Sequence, residues 1–326
     1  MHRPMPPGKR PKLWAGTPPA IFPALSGLLM LGLDLRQVLW NSVLPQGIAD
    51  LFLGAVTLLF LFGLCAYLVK AARRPRAVVE DLRTLPGQVG LGALASGVVL
   101  LSPTLIAYDP AAALVLLWVG LAAQGVLILG FLWHLGRAPE PQRKVSPSWH
   151  LIFAAPLLGS IAAAPFGLLL LAKVLFGLSL ASALAILVDS ALQFARDTVP
   201  PPLRPVLSLH ILPLALATVA AAELGLPMVA TACGVLAIGV ALVLLAEIYW
   251  VCAAGFTGLW GVFALPIASL SAACLALEGI GAGAVALGLG LFVLGIAGPA
   301  VTVLSYRILR LWARGELGPR TGASVA

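Results

Sequence analysis

Ten apolar stretches, each long enough to cross a bilayer, divide this chain of 326 residues. The loops between them are alternately basic and almost free of Lys and Arg. A spanning helix needs roughly 20 apolar residues at a rise of about 1.5 Å each. Breaks of charge, Pro or Gly delimit such runs at about Thr17–Gln37, Gln46–Val69, Gly87–Tyr108, Pro110–Leu135, Ser148–Phe166, Leu168–Gln193, Pro205–Glu223, Leu226–Ala253, Thr257–Leu277 and Gly281–Ile308. Hydrophobic residues make up 61% of the chain, charged residues 10%, and the mean hydropathy is +1.05, values that a water-exposed surface does not tolerate. Inside lipid the backbone must bond to itself, and these runs are too long and uniform for barrel strands, which alternate polar and apolar residues over about ten positions. The chain therefore reads as an all-α membrane protein of ten transmembrane helices, occupying residues 17–311 between tails at 1–16 and 312–326.

Orientation follows from the basic residues, which are retained on the cytoplasmic side of a membrane. Eighteen of the twenty Lys and Arg fall in the N-tail, the second, fourth and sixth loops and the C-tail; only Arg36 and Lys173 fall on the other side, with Asp34, Asp109, Glu223 and Glu278. Both termini are accordingly expected in the cytoplasm, with the protein multi-pass in the plasma (inner) membrane. The net charge of +8 is read as topology and contact with anionic lipid rather than nucleic-acid binding, since no aromatic residues interleave the basic loops. No cleavable signal peptide is expected, because a polar, Pro-rich tail precedes the first run. The four cysteines lie in apolar helices without metal-ligand spacing, so neither a metal nor a cofactor is expected.

Short outward turns join the helices in pairs, giving five helical hairpins as the repeat unit. First members of the pairs carry breakers and small residues: Pro23 with Gly27; Gly90, Gly92 and Gly97; Pro156 with Gly159; Pro213; Gly261 with Pro266. Second members are mostly Leu, Val, Ala and Ile. Kinks and small residues belong where neighbouring protein shields the backbone from lipid or where it faces a cavity. Five kinked inner helices around a pore, enclosed by five outer helices, are expected, with kinks at Pro23, Gly92, Gly97, Pro156 and Pro213.

Local motifs in order along the chain match one family. RPVLSLHILP sets Arg204 nine residues before Pro213; DPAAALVLLWVGLAAQG, Asp109 to Gly125, carries W-x-G-x-x-x-Q; SPSW begins at Ser146; GLW and PIAS lie between Gly258 and Ser269. In these motifs, in length and in topology, residues from about Pro19 to Leu311 resemble the tellurite-resistance/dicarboxylate transporter family, which includes TehA-type proteins, fungal malate and sulfite carriers and the slow anion channel of plant guard cells. The resemblance implies a homotrimer with a pore in each protomer, a small anion as the transported species, and an aromatic plug in the ninth helix directly before a Gly or Pro break. Here Leu265 precedes Pro266 and the nearest aromatic, Phe263, stands two residues earlier. The gate is thus expected among Phe263, Leu265 and Pro266, with Phe263 and Leu265 as alternatives.

The polar inventory of the first helices is sparse: Ser26, Ser96, Ser160, His210, Thr218, Ser269 and Ser271, with no charged residue expected near mid-membrane. Of these, His210, Ser160 and Ser269 are candidates to line the path. Arg204, at the mouth of the seventh helix, either attracts anions or pairs with Asp197 or Glu247. A wall without fixed counter-charge suits rapid permeation, hence an anion channel or facilitator. The alternative is a proton-coupled carrier or exporter of C4-dicarboxylate, sulfite or tellurite-type anions, if Asp189, Glu247 or His210 titrates. An enzyme is not expected: no His/Glu metal spacing, G-x-S-x-G or acidic cluster for phosphate occurs.

Overall fold

The computed structural model describes residues 16–40, 42–139 and 143–321; Arg3, Lys9, Arg10 and Lys12, together with the last five residues, lie outside them. Among the described residues all regular structure is helical. In chain order the helices are α1 (Pro19–Trp40), α2 (Gly47–Arg73), α3 (Pro75–Leu82), α4 (Leu85–Leu105), α5 (Pro110–Arg137), α6 (Pro147–Phe166), α7 (Leu169–Phe194), α8 (Pro201–Glu223), α9 (Pro227–Ala246), α10 (Ile248–Val251), α11 (Ala264–Leu277), α12 (Gly283–Ala313) and α13 (Leu317–Thr321). Starts are marked by chemistry that tolerates or satisfies the orphan first-turn N–H groups. Thr84 caps α4 by accepting from the Gly87 N–H, and Asp109 caps α5 by accepting from Ala111 and Ala112. Pro occupies the first or second position of α3, α4, α5 and α9.

Nine described stretches are long and apolar enough to cross a membrane, the last of them running from Gly258 to Ala313. That 56-residue stretch is not one rod. Gly281 within it has φ 93° and ψ 17°, a left-handed conformation that L side chains rarely adopt, and beyond it the chain doubles back. A Cβ built on Gly290 would stand 2.9 Å from the Leu275 side chain, although fifteen residues of continuous helix would separate them by about 22 Å.

Burial sorts the helices into two kinds. α1, α4, α6, α8 and α11 are buried along most of their length and touch one another in a closed cycle, α1 to α4 to α6 to α8 to α11 and back to α1. α2, α5, α7, α9 and α12 bury a single stripe, such as Leu53, Val56, Phe60, Gly63 and Tyr67 of α2, and expose Leu, Val, Phe and Trp on the opposite face. Lipid is an adequate solvent for that face, so the burial pattern is not apolar-in and polar-out as it would be in water. Where the buried helices meet, small residues set the spacing. Gly27 of α1 lies against the backbone of Ala264 and Leu265 in α11, leaving no room for a Cβ.

At the end of the bundle that carries α3, hereafter the basic end, Asp81 of α3 accepts from Lys70 Nζ at 2.9 Å and from Tyr67 Oη at 2.8 Å. Both ion-pair partners are almost fully buried. Removing one partner strands a buried charge and typically costs about 3–5 kcal/mol, whereas replacing both with apolar residues does not. Asp81→Ala should therefore lower the thermal stability of the detergent-solubilised protein, followed by size exclusion after heating. Lys70→Met combined with Asp81→Leu should recover most of the loss; no recovery would show that the ion pair is not what secures α3.

Candidate functional site

The closed cycle of buried helices is regular for most of its depth and irregular near the basic end. α1 begins with a 3₁₀ turn at Pro19–Ile21, α8 with a 3₁₀ segment at Pro201–His210, and α11 is preceded by one at Gly258–Phe263. α6 opens with a 3₁₀ turn at Pro147–Trp149 and a π segment at His150–Ala154 before becoming α-helical at Pro156. The prolines Pro23, Pro156, Pro213 and Pro266 each stand within the first three positions of the α-helical part that follows. A missing N–H costs little there, because first-turn donors have no intrahelical partner. The irregularity thus lies in the 3₁₀ or π backbone before each proline. α4 differs: it is α-helical through Gly92 and Gly97, which are points of close approach to Leu151 and to the Phe60 ring rather than kinks.

A π segment disrupts the regular carbonyl ladder, and neighbouring helices complete it. Gln124 Nε2 donates to Ile152 O at 2.7 Å and to Leu151 O at 3.3 Å, and Ser182 Oγ donates to Phe153 O at 3.1 Å. Gln124 is the last residue of the W-x-G-x-x-x-Q motif, whose Gly120 lets α5 lie against Val99 of α4. The motif is therefore a packing and bonding device around the irregular part of α6.

The expected gate residues separate in space. Ile267, Leu270 and Cys274 line an apolar crevice toward α9 and α12, and Phe263 lines it with them, its ring 5.8 Å from that of Trp260. Leu265 and Ser269 stand about 160–200° from Ile267 around α11, on the face turned away from that crevice and into the cycle. Leu265 is 2% exposed. Ser269 Oγ is buried without a hydrogen-bond partner, as is Ser102 Oγ.

The other expected polar residues have found protein partners. Arg204 donates from Nε to Val199 O and from Nη1 to Trp250 O, each at 3.0 Å, and its guanidinium lies 4.1 Å over the Trp250 ring. No ion pair to Asp197 or Glu247 is formed, and Asp197 lies 3.6 Å from Lys144 instead. Ser160 donates to Ala172 O of α7 at 2.8 Å, away from the cycle. His210 has both ring nitrogens engaged, with His150 Nε2 and Ser190 Oγ each at 2.9 Å. His150 is fully buried. Asp34 corrects a second expectation: it lies inside α1, 1% exposed, faces Ser271 of α11, and has one oxygen without a partner. Its spacing of seven from Gly27, a residue on the α11-facing side of α1, was the available cue.

A family model described as a voltage-dependent anion channel matches residues 16–309. No curated protein matches the chain.

Arg204 is held by two carbonyls and a ring at the basic end, which argues for anchorage. Arg204→Gln should lower thermal stability in detergent by about 2–3 kcal/mol, the range for hydrogen bonds to a charged group. Any loss of flux should be the same at low and high ionic strength. A loss confined to low salt would instead assign it to long-range attraction, which screening shortens to about 10 Å at 0.1 M.

Proposed function

The chain belongs to the voltage-dependent anion channel family of membrane transport proteins, and we propose that it is an anion channel or facilitator whose path runs through the cycle of α1, α4, α6, α8 and α11 in each protomer. In this reading the stretch broken at Gly281 is two spans, giving ten in five hairpins, with both termini cytoplasmic and three protomers side by side in the plasma membrane. The observation that carries it is the inward face of α11. Leu265 presents an apolar plug, and Ser269 places an unpartnered hydroxyl one turn beyond it. A dry apolar constriction stops ions by excluding water, and a hydroxyl just past it can donate to an anion that has crossed.

The opposing reading is a proton-coupled carrier of C4-dicarboxylate, sulfite or tellurite-type anions. Scarcity of fixed positive charge along the inner faces favours the channel, because tight coordination of an anion needs convergent cationic donors. Arg36 is committed to Asp50 at 2.9 Å and to the Pro103 and Thr104 carbonyls, and Arg204 to its own carbonyls.

Planar-bilayer recordings with chloride, nitrate, sulfite and malate substituted singly should give ohmic anion-selective currents. Saturable, non-ohmic flux dependent on a proton gradient would select the carrier. Leu265→Ala should raise anion current several-fold with the fold intact, and Phe263→Ala should change it little. The reverse ranking would make Phe263 the plug.

Orientation is tested separately. An impermeant thiol reagent applied outside intact cells should label a Cys introduced at Asp109 or Glu278 but not at Arg74 or Arg143. Labelling of the second pair from outside would overturn the ten-span reading.

A further inference from the structure

Three side chains from three helices form a buried chain that the proposed plug does not use. His150 of α6 and His210 of α8 meet through Nε2 and Nδ1 at 2.9 Å, with ring centroids 5.0 Å apart and planes at 80°. His210 Nε2 reaches Ser190 Oγ of α7 at 2.9 Å. At one end His150 Nδ1 is buried without a partner. At the other, Ser190 lines two cavities, one between α7, α8 and α9 and one at the basic end with Lys144, Gln193 and Asp197. A polar atom buried unpaired costs free energy, so an orphan imidazole nitrogen at the end of an otherwise complete chain requires an explanation.

We infer that the His150–His210 pair is a proton-binding site, reached from the basic-end cavity through Ser190, and that the bound proton supplies positive charge to the wall of the anion path. The inference rests on the anion-path reading above. The neutral chain has two hydrogen-bond directions. In one, Ser190 donates to His210 Nε2, His210 Nδ1–H donates to His150 Nε2, and the orphan Nδ1 is a donor. In the other every bond is reversed and the orphan is an acceptor. Starting from the first, a proton arriving at Ser190 Oγ replaces the hydroxyl proton, which passes to His210 Nε2. His210 then carries protons on both nitrogens and shares the Nδ1 proton with His150 Nε2. One proton has entered, the pair has gained one positive charge, and no heavy atom needs to move.

Most nearby charged groups are otherwise occupied. On α7, Asp189 accepts from Gln193 at 2.7 Å; on α8, Arg204 is tied to carbonyls; Glu247, at the end of α9, lines the same cavity as Ser190 and His210 and is the one acid that faces the pair's side of the bundle; Lys144 and Asp197 face each other; and His134 of α5 packs on Phe131. α4 contributes Gln88, which accepts from Ser148. Among the described residues no ion pair joins either ring to any of these groups.

Currents from the full-length protein in a planar bilayer should rise on the order of tenfold as cytoplasmic pH is lowered from about 8 to about 4, a window that covers ordinary histidine titration and extends about two units below it. That rise is the occupancy change a unit charge produces about 10 Å from an ion at an effective dielectric constant near 20. His150→Gln and His210→Gln should each reduce the rise to under about twofold, since Gln keeps hydrogen bonding but takes no proton. Ser190→Ala should slow the response to a pH step. Nitrogen NMR of histidine-labelled wild type provides a readout independent of flux: the two buried rings should titrate together as one pair. Failure of the rings to titrate in the folded protein, or an unchanged pH response in both Gln variants, would overturn the inference. Titration of the pair without anion current at any pH would sustain the proton site and overturn the pore reading instead.

Discussion

Every carbonyl and N–H in the bilayer must find a partner within the protein, and the buried helices of this molecule are irregular just where that demand is hardest to meet. A 3₁₀ or π segment alters which carbonyls are bonded and by whom. The structure answers with side chains from flanking helices. Gln124 and Ser182 reach three consecutive carbonyls of the π segment in α6, and Ser26 of α1 donates to Ala93 O of α4 at 2.6 Å. Ser305 of α12 donates to Ala24 O of α1. Each such bond contributes only about 0.6 kcal/mol on average in a membrane, but each also fixes the rotation of one helix against another. The irregular backbone and the outer helices are therefore one design: the second exists in part to make the first tolerable.

The same constraint gives the glycines and serines their distribution. Close approach lets short hydroxyl side chains span from one helix to the next carbonyl, and close approach requires the loss of Cβ atoms. Gly97 of α4 meets both the Phe60 ring and Ser26 Oγ, so the small residue and the bonded hydroxyl occupy one crossing. Ser102 and Ser269 depart from this pattern, buried without bonded partners among the described residues. Ser271 faces Asp34, which brings an acid rather than a base to the contact between α1 and α11. Burying a charge away from water without a cation is costly, so the Ser271 hydroxyl is the polar group that the fold supplies to this acid.

Much of this was legible from hydropathy. The membrane-crossing runs are read directly from stretches without charge, and W-x-G-x-x-x-Q and the proline positions were visible as motifs. Their roles were not. Hydropathy carries no phase, so it cannot distinguish α from 3₁₀ backbone, and Pro156 and Pro213, which read as kinks within helices, are first-turn residues after a change of helix type. Boundaries slipped for related reasons. α8 starts at Pro201 rather than Pro205, because Pro-rich sequence was read as loop although 3₁₀ turns accept it. α9 stops at Ala246, and the apolar tail up to Ala253 forms a turn and the short α10, whose Trp250 carbonyl receives Arg204. The connection after α2 was read only as a basic loop, yet it folds as α3 because Asp81 finds two buried donors.

The position of the proposed plug illustrates why phase matters more than residue identity. In an α-helix successive residues turn by about 100°, and in a 3₁₀ helix by about 120°, so the six residues Gly258–Phe263 rotate about 120° further than an α-helical wheel would assign. A wheel drawn through the whole motif would therefore misplace Gly258 by that amount relative to the residues from Ala264 onward, and Phe263, the last 3₁₀ residue, by only about 20°. From Ala264 onward the backbone is regular, and Ile267, Leu270 and Cys274 define an outward face without reference to the motif. Leu265 lies opposite that face by geometry alone, and Gly27 brings α1 against its backbone. An aromatic at position 265 would have to fit beside this crossing, where the helices are already in contact.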